Sequence, residues 1–368
     1  MSARRHMAAA MLFVFFAGAT GASRAGAKAA QVDRLFRDYA GEVPGASVIV
    51  TRDERAIFRK SYGLANVEQR RKATPRTTYR LASVSKQFTA MAALMLAERG
   101  KLSLDDELTR FFPDFPAYGK QIRVRHLLAH TSGLLAYEDF IPDSATEPVL
   151  DRDVLEILKR QQGTYFPPGS QFRYSNSGYA LLACIVEQVS GLSFPAFLKR
   201  NIFAPLGMRD TYMNLRAAAE NSRRAYGYTK RSDSFERTDQ SMTSYVLGDG
   251  GIYSSAEDLA KWERALGSAR LVRWETLEQA MAQQIATGSG GGDGVSYGYG
   301  WYVGEHRGLG AVWHEGTTVG FRNFYLRIPD KKLAVIVLAN RSDARPEELA
   351  RAVMDLFLEE APSKTQKR

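Results

Sequence analysis

The stretch Leu81-Ala82-Ser83-Val84-Ser85-Lys86-Gln87-Phe88 decides which fold and which chemistry this chain is expected to have. From Val84 onward, apolar residues recur at spacings of three and four until Gly100 follows the last of them. That period is typical of an amphipathic α-helix that ends at a glycine. We therefore predict a helix that begins in this stretch, with Ser83 in its first turn.

Ser83 and Lys86 are the candidate nucleophile and base. Residues three apart share one side of a helix, so the hydroxyl and the amine are expected within hydrogen-bonding reach, near unpaired amides that favour developing negative charge. A serine hydroxyl needs a base, and a lysine can be that base if burial lowers its pKa from about 10.4 toward neutrality. Ser83 is the only serine of the chain with a lysine at the third position after it.

The N-terminus has the pattern of a secretory signal peptide. Arg4 and Arg5 precede an apolar run over residues 7–19, and the small-residue triplets 17–19 and 25–27 are both suitable for cleavage. The run is too short to span a bilayer as a stable helix. We predict that residues 1–27 are removed and that the protein is exported, periplasmic or secreted, without an integral membrane segment afterwards.

Composition narrows the class of protein further. A chain of 368 residues can form two domains or one large domain with an insertion. The formal net charge is +10, but the basic residues are scattered, which predicts a solvated surface and no nucleic-acid partner. Cys184 is the only cysteine and lies in an apolar helical pattern, so a buried thiol is expected and the core must hold the fold.

Strand patterns occur near both ends of the chain, and helical patterns lie between them. Residues 46–51 and 56–62 read as a hairpin, and after the glycine-rich residues 288–294 four further strands precede a helix over 346–358. This order predicts an α+β fold, in which helices flank an antiparallel sheet built from both termini and a mainly helical insertion follows the first strands. The predicted domain is 28–362, with an α/β part at about 28–80 and 290–362, a helical part at about 81–289, and a disordered tail at 363–368.

Two further stretches carry candidate site residues. Tyr174-Ser175-Asn176 lies in a loop before an apolar helix, where a phenol can relay a proton and an amide can fix a substrate carbonyl or the lysine. A second match to this short pattern, Tyr212-Met213-Asn214, shows how easily it arises by chance.

The other stretch is Trp313-His314-Glu315-Gly316-Thr317, in a predicted C-terminal strand. Alternation puts His314 and Gly316 on one face, and a glycine there leaves room for a substrate backbone to lie against the strand. The amide of Thr317 is expected to pair with that of Ser83 as an oxyanion hole.

These three stretches carry a family resemblance. Ser83-Val84-Ser85-Lys86, Tyr174-Ser175-Asn176 and His314-Glu315-Gly316 stand in the order and approximate spacing of the three motifs of penicillin-recognising serine hydrolases. The chain most resembles their branch of class C beta-lactamases and D-alanyl-D-alanine carboxypeptidases. Residues 126–134, 205–208 and 250–254 are similar to that family as well, and the resemblance covers about residues 31–358. It implies a beta-lactamase/transpeptidase-like fold.

The resemblance also implies roles. Ser83 would be acylated, Lys86 and Tyr174 would share the proton transfers, and Asn176 would help to hold Lys86 and the substrate. It leaves open whether Lys86 or Tyr174 is the main base, and it implies no metal and no organic cofactor. The substrate would be a small molecule or a peptide, for example one derived from peptidoglycan. A carboxypeptidase-like hydrolase of D-amino-acid peptides is the first expectation, and a carboxylesterase or a weak beta-lactamase is the alternative.

His314 departs from the family pattern, because beta-lactamases of this type usually have a lysine there. Histidine has a reference pKa near about 6.5 and is mostly neutral at pH 7, which makes it a weaker partner for a substrate carboxylate. We therefore expect substrates with a carboxylate to bind more tightly as the pH falls through 6 to 7.

Two other classes of protein compete with this interpretation. His126 and His130 are four residues apart, as in zinc hydrolases, but residue 127 is leucine where a metalloprotease helix carries glutamate, and no third ligand is evident. A non-catalytic penicillin-binding or sensor protein would keep the fold and lose turnover. The sequence does not indicate an oligomeric state.

Overall fold

The computed structural model describes residues 17–215, 221–288 and 292–358. Residues up to Asp38 form a unit of their own, whose described part contains helix α1 (Ala17–Leu35). All the other strands and helices described below belong to the second unit, which begins at Tyr39. Residues 1–16 of the predicted signal peptide and the whole predicted tail, 363–368, lie outside the described residues, so both remain predictions.

The largest element is an antiparallel sheet that joins the two ends of the second unit. Among the described residues, eight strands form it in the order β10-β11-β12-β13-β14-β15-β1-β2, and three small sheets pair β3 with β4, β5 with β9 and β6, and β7 with β8. The strands are β1 (Ala46–Arg52), β2 (Arg55–Tyr62), β3 (Leu64–Asn66), β4 (Arg71–Lys72), β5 (Thr78–Arg80), β6 (Tyr212–Met213), β7 (Tyr228–Lys230), β8 (Phe235–Arg237), β9 (Ile252–Ser255), β10 (Ile285–Ala286), β11 (Ser296–Tyr297), β12 (Tyr302–His306), β13 (Leu309–Thr318), β14 (Phe321–Ile328) and β15 (Leu333–Ala339). The predicted sheet built from both termini is confirmed.

Helices connect and cover these strands. They are α2 (Lys86–Glu98), α3 (Leu108–Phe111), α4 (Val124–Leu128), α5 (Asp151–Lys159), α6 (Asn176–Ser190), α7 (Phe194–Leu198), α8 (Ala204–Leu206), α9 (Leu247–Gly250), α10 (Ala256–Gly267), α11 (Trp274–Met281) and α12 (Pro346–Leu358), with a π-helical segment at Lys199–Phe203. Most of them lie between β5 and β10, which confirms the mainly helical insertion, although β6 to β9 also lie there.

Side chains of β14 show that the large sheet is covered on both faces. Phe324 points toward α12, where Arg351 lies 5.7 Å from its ring centroid. The next residue, Tyr325, points the other way and its hydroxyl donates to Glu263 of α10 at 2.5 Å. Successive side chains in a strand face opposite sides, so α10 and α12 cover opposite faces. His314 is paired with Tyr325 and therefore faces the α10 side.

Helix α2 is buried on all sides, which corrects the amphipathic helix expected from the sequence. Every residue from Lys86 to Leu96 is buried, because α2 is packed against α6, α7 and α9. Its polar residues are accommodated by hydrogen bonds, such as the one from Trp262 Nε1 to Gln87 Oε1 at 3.0 Å. Cys184 is buried in α6, as predicted.

Membrane-spanning length was assessed only for the described residues. No single helix there is long and apolar enough to cross a bilayer, and one sharply bent pair, Asn176–Ser190 with Phe194–Leu206, meets the length and composition criteria.

Candidate active site

Ser83 lies in a tight turn that precedes α2, not within the α-helix itself. This 3-10 turn spans Ala82–Ser85, and Ala82 has a positive φ of 50°, which is uncommon for a residue with a side chain. The amide of Leu81 donates to the carbonyl oxygen of Ile252 at 2.8 Å, so the entry to the turn is tied to β9. Unusual backbone angles persist where the surrounding structure fixes them. The turn thus holds the half-buried Ser83 at a defined position.

Lys86 is the first residue of α2, and the structure brings it into contact with Ser83 as predicted. Its Nζ donates to Ser83 Oγ at 3.1 Å, to Asn176 Oδ1 at 2.9 Å and to the carbonyl oxygen of Asp249 at 2.9 Å. An ammonium group has three donors, and each has an acceptor here. In the neutral amine, two donors can stay on Asn176 and Asp249 while the lone pair turns to the Ser83 hydroxyl.

The pKa of Lys86 is set by burial and by two nearby carboxylates, which act in opposite directions. Complete burial lowers the pKa of Lys86 to about 8, while the carboxylates of Asp249 and Glu138 oppose that fall. The aromatic rings of Tyr174 and Tyr179 also lie near the cation, with ring centroids 4.8 Å and 5.4 Å from Nζ. A neutral amine is therefore accessible near neutral pH, which a lysine base requires.

Asn176 begins α6 and is oriented from two sides. Its Oδ1 accepts from Lys86, and its Nδ2 donates to Glu138 Oε1 at 2.8 Å. A lysine ammonium can only donate and a carboxylate can only accept, so this pair of contacts fixes which way the amide points. Ser175 caps the helix by accepting from the amide of Gly178 at 3.1 Å, which holds Asn176 at the first position.

Tyr174 lies beside Ser83 and Lys86; the residue is half-buried, and its hydroxyl oxygen is buried. Burial raises the pKa of the Tyr174 phenol well above its usual range, and the nearby Ser83 hydroxyl opposes the rise. Its hydroxyl has no hydrogen-bond partner among the described residues. A buried hydroxyl without a partner is costly, so this group is suited to a partner that the substrate would supply. A neutral phenol can relay a proton only if it accepts one proton while it donates its own.

His314 does not have the charge expected from the sequence. Burial, together with the positive Lys86, lowers the pKa of His314 to about 3. Its Nδ1 lies 2.7 Å from the carbonyl oxygen of Glu315, which can only accept, so Nδ1 carries the hydrogen. Nε2 therefore accepts from the hydroxyl of Tyr297 at 2.9 Å. The expected titration between pH 6 and 7 is wrong, because a ring with no contact with water stays neutral there.

A pH series on substrate affinity should reflect this neutral ring. Between pH 5 and 8, we expect the Kd of a carboxylate-bearing D-alanyl peptide to follow the same pH curve in wild type and in His314→Gln, because the ring stays neutral throughout. Calorimetry on the Ser83→Ala background avoids turnover. A step near pH 6.5 in wild type that the His314→Gln variant lacks would show that the ring does titrate.

The absence of a side chain at Gly316 makes room for the chain's own backbone, not for a substrate backbone as expected. A Cβ built on it would lie 2.1 Å from the carbonyl oxygen of Leu81, so the chain's own backbone occupies the space predicted for a substrate. Asn323, its partner in β14, donates from Nδ2 to the same oxygen at 3.2 Å. Strand β13 and the Ser83 turn are thereby packed backbone to backbone.

Thr317 and Ser83 line the same small cavity of about 80 Å³. Strand β12 pairs with β13 only as far as Trp313, so the edge of β13 from His314 onward is not covered by that strand and faces the Ser83 turn. The remaining lining residues are mostly polar: Arg80, Ala82, Tyr137, Glu138, Asn176, Thr243, Asp249, Gly250 and Thr318. The residues Lys86, Tyr174, His314 and Gly316 do not line this cavity, although Lys86 is hydrogen-bonded to Ser83.

Sequence reasoning missed Glu138 and Asp249. Both residues line the cavity, and their carboxylates favour the charged form of Lys86. Glu138 lies in the 3-10 turn Tyr137–Phe140, and Asp249 lies in α9, directly before the family-like residues 250–254. Glu138 and Asp249 are far from Lys86 in the sequence and share no motif with it, so only the fold shows that they interact with it.

His126 and His130 are not placed as metal ligands. His126 Nδ1 accepts from the amide of Arg123 at 3.1 Å, and His130 Nδ1 accepts from the amide of Ser175 at 3.0 Å. His130 is buried with its ring centroid 4.2 Å from that of Tyr174, so it supports the tyrosine. Within the described ranges, no three His, Cys, Asp or Glu side chains are grouped as metal ligands. The zinc-hydrolase alternative therefore has no support in the structure.

The second match to the tyrosine motif has other contacts. Tyr212 is stacked on Tyr253 with ring centroids 5.3 Å apart, and Asn214 Nδ2 donates to the carbonyl oxygen of Ser244 at 3.0 Å. Tyr174, in contrast, lies against Lys86. The structure therefore brings Tyr174 to the Ser83 and Lys86 pair.

A half-buried serine bound to a buried lysine, between an antiparallel sheet and a helical region, defines a class: serine hydrolases that form an acyl-enzyme. A family model described as Beta-lactamase matches residues 32–358. The chain belongs to this family of serine hydrolases.

Similarity to individual proteins agrees with the family. Penicillin-binding protein 4* of Bacillus subtilis (strain 168) is 32% identical over 309 residues, which is 80% of this chain and 67% of that protein. Protein flp of Staphylococcus aureus (strain N315) is 27% identical over 319 residues, which is 84% of this chain and 62% of that protein. The chain thus matches only about two thirds of the length of these relatives.

Solved structures are similar over most of the chain. The octameric penicillin-binding protein homologue from Pyrococcus abyssi has a TM-score of 0.79 and 29% identity, covering 93% of this chain and 78% of that one. The D-amino acid amidase from Ochrobactrum anthropi SV3, complexed with D-phenylalanine, has a TM-score of 0.78 and 23% identity, covering 92% and 99%. The second similarity is one of fold. Together they confirm the predicted beta-lactamase/transpeptidase-like fold.

Proposed function

We propose that this serine hydrolase cleaves D-amino-acid peptides in the manner of a carboxypeptidase, through an acyl-enzyme on Ser83. The observation that carries the proposal is the hydrogen-bond set of Lys86, which joins Ser83, Asn176 and the Asp249 carbonyl oxygen at 2.9 to 3.1 Å. A buried amine held by two fixed acceptors has one direction left for its lone pair, and that direction leads to the Ser83 hydroxyl. Lys86 is therefore the main base in this proposal.

The acylation step follows from that geometry. Neutral Lys86 takes the proton of the Ser83 hydroxyl as the oxygen attacks the carbonyl carbon, and the negative charge forms on the carbonyl oxygen. In this proposal the amides of Ser83 and Thr317, two residues that line the same cavity, stabilise that oxygen. When the C–N bond breaks, the leaving amine receives a proton from the Lys86 ammonium, with Tyr174 as the relay. Asn176 holds Lys86 throughout.

Deacylation returns the enzyme to its starting state. A water molecule attacks the ester carbonyl and gives its proton to Lys86, so the C–O bond to Ser83 breaks and the acid is released. Lys86 then returns the proton to the Ser83 oxygen. The net reaction is hydrolysis, and proton gains and losses balance at Lys86.

The walls of the site favour a peptide over a simple ester. The cavity beside Ser83 is lined mostly by polar side chains, which suit amide groups better than the apolar acyl chain of a simple ester. His314 is neutral, so it offers no cation to the carboxylate of a beta-lactam or of a C-terminal D-alanine. The polar lining therefore places ester hydrolysis behind peptide hydrolysis, and the choice between peptide and beta-lactam is left to the substrate panel below.

Labelling with a serine-directed probe tests the proposal. Wild type is expected to bind a fluorescent penicillin or a fluorophosphonate covalently, and Ser83→Ala is expected to lose the label while keeping its thermal unfolding midpoint. The matched control is Ser85→Ala, because Ser85 is the other serine in the motif. Labelling retained in Ser83→Ala would refute the nucleophile, and no labelling of wild type would favour the non-catalytic binding protein.

A substrate panel separates the acyl donors. We expect kcat/KM for a D-alanyl-D-alanine peptide to exceed that for nitrocefin and for short acyl nitrophenyl esters. A higher value for an ester would make the protein a carboxylesterase.

We further propose export to the periplasm or the medium, as residues 1–27 predict; N-terminal sequencing of the mature protein from cell fractions would test this.

A further inference from the structure

Helix α9 carries the carbonyl groups that hold α2 in place. The carbonyl oxygen of Asp249 accepts from Lys86 at 2.9 Å, and that of Gly248 accepts from Thr89 Oγ1 at 2.6 Å. On its other side α9 touches α6, since a Cβ built on Gly248 would lie 2.3 Å from the carbonyl oxygen of Tyr179. Helix α9 is thus fixed between the helix that carries the base and the helix that begins with Asn176.

The half-buried carboxyl group of Asp151 in α5 holds α9 from a third side. Asp151 accepts from the amides of Leu247 and Gly248 at 2.8 Å and 2.9 Å. The backbone of Asp249 therefore has little freedom, and the residue lines the same cavity as Ser83. Asp249 is only 8% exposed, so its charge acts with little screening by water.

Titratable groups from several elements face the Asp249 carboxyl. The Tyr137 hydroxyl donates to its Oδ2 at 3.4 Å. The others act through charge: Arg80 from β5, Lys86 from α2, Glu138 from the turn Tyr137–Phe140, and Asp151 from α5. Burial raises the pKa of Asp249 to about 6, and Lys86 opposes the rise. Above that pH the group is a carboxylate.

The other titratable neighbours of Lys86 are neutral near pH 7. Burial lowers the pKa of His130 and of His314 below the physiological range. It raises the pKa of Tyr174 and of Tyr179 above that range. The charges that act on Lys86 at neutral pH are therefore those of Asp249 and Glu138, and Asp249 has the larger influence.

We infer that Asp249 is a positioning residue that sets the charge state of Lys86: its carbonyl oxygen orients the amine, and its carboxylate holds the resting amine in the protonated form. The inference rests on the proposed function, in which the neutral amine is the base. An ionised Asp249 then lowers the acylation rate at neutral pH, so removing that charge makes the enzyme faster there.

The pH at which this effect occurs is restricted. Between about pH 6 and 8, wild type has an ionised Asp249 and a mostly protonated Lys86, so the variant Asp249→Asn has more neutral amine. Below about 6, Asp249 in wild type is itself protonated and the two enzymes converge. Above about 8, Lys86 is neutral in both. The ratio of the two rates should pass through a maximum.

The test measures the acylation rate of full-length Asp249→Asn and of wild type with a fluorescent penicillin from pH 5 to 9.5. In a plot of acylation rate against pH, we expect the acid limb of Asp249→Asn to lie at least about half a pH unit below that of wild type. Near pH 7 this shift corresponds to about a threefold faster acylation. The acid limb of Asp249→Ala should shift in the same direction, and this variant replaces Asp249→Asn in the test if Asp249→Asn is unstable. Glu138→Gln, which keeps an acceptor for Asn176, should shift the limb less.

Two outcomes would overturn the inference. One is an acid limb at the wild-type pH in both Asp249 variants, and the other is a rate change of equal size at all pH values, as a purely structural role would give. Failure of the proposed function looks different, since wild type would then not be acylated at any pH.

Discussion

Lys86→Met is expected to lower the acylation rate by about a thousandfold or more while the protein stays folded. The loss corresponds to about 4 kcal/mol in the activation free energy, because Lys86 is the base that is hydrogen-bonded to the Ser83 hydroxyl. Methionine has a similar length but leaves the buried acceptors of Asn176 and Asp249 without their donor, so the free energy of unfolding should fall by about 1–3 kcal/mol while the fold is kept. Stopped-flow acylation with a fluorescent penicillin and thermal unfolding measure the two effects.

The control for this variant is Lys101→Met, which removes an exposed lysine just beyond α2. It should acylate at the wild-type rate. A near-normal rate in Lys86→Met would remove Lys86 from the mechanism and leave Tyr174 as the main base. Loss of folding in Lys86→Met would mean that the buried amine is mainly structural.

Gly316→Ala is expected to have the second largest effect, although residue 316 does not line the cavity. Its new methyl group would lie 2.1 Å from the Leu81 carbonyl oxygen, so β13 or the Ser83 turn must move. Overpacking of this kind costs about 1–3 kcal/mol in stability. A displacement of about 1 Å at the nucleophile lowers the rate by about a hundredfold. Differential scanning calorimetry and the acylation assay would record both.

Gly310→Ala is the matched control, because it makes the same change in the same strand where nothing lies within 4 Å of the new methyl group. Its stability and acylation rate should stay close to those of wild type. Equal rates in Gly316→Ala and wild type would show that the Ser83 turn tolerates a displacement, and that the close backbone contact is not needed for activity.

The sequence predicted the sheet better than the central helix. Strands at both ends show an apolar pattern of their own, so their pairing into one antiparallel sheet followed from strand order. Helix α2 was expected to be amphipathic because its apolar residues recur at spacings of three and four. Its polar residues Lys86, Gln87 and Thr89 are buried against Asn176, Trp262 and Gly248, which come from distant parts of the chain, so only the folded structure shows that the helix has no exposed face.

The site was predictable where its residues stand in short motifs. Ser83, Lys86 and Asn176 form one hydrogen-bonded group, and Thr317 shares the cavity with Ser83. The charge of His314 was not predictable, because it depends on burial and on Lys86 nearby. Glu138 and Asp249 were missed because they act on Lys86 through space, without a sequence spacing that marks them.

The most direct measurement of the central claim is the mass of the acylated protein. After incubation with a penicillin, wild type should gain the mass of one intact penicillin, and fragmentation of the tryptic peptide 81–86 should place it on Ser83. That peptide also contains Ser85, which is fully buried and accepts from the amide of Ile252 at 3.2 Å. A label on Ser85, or on any residue other than Ser83, would contradict Ser83 as the nucleophile.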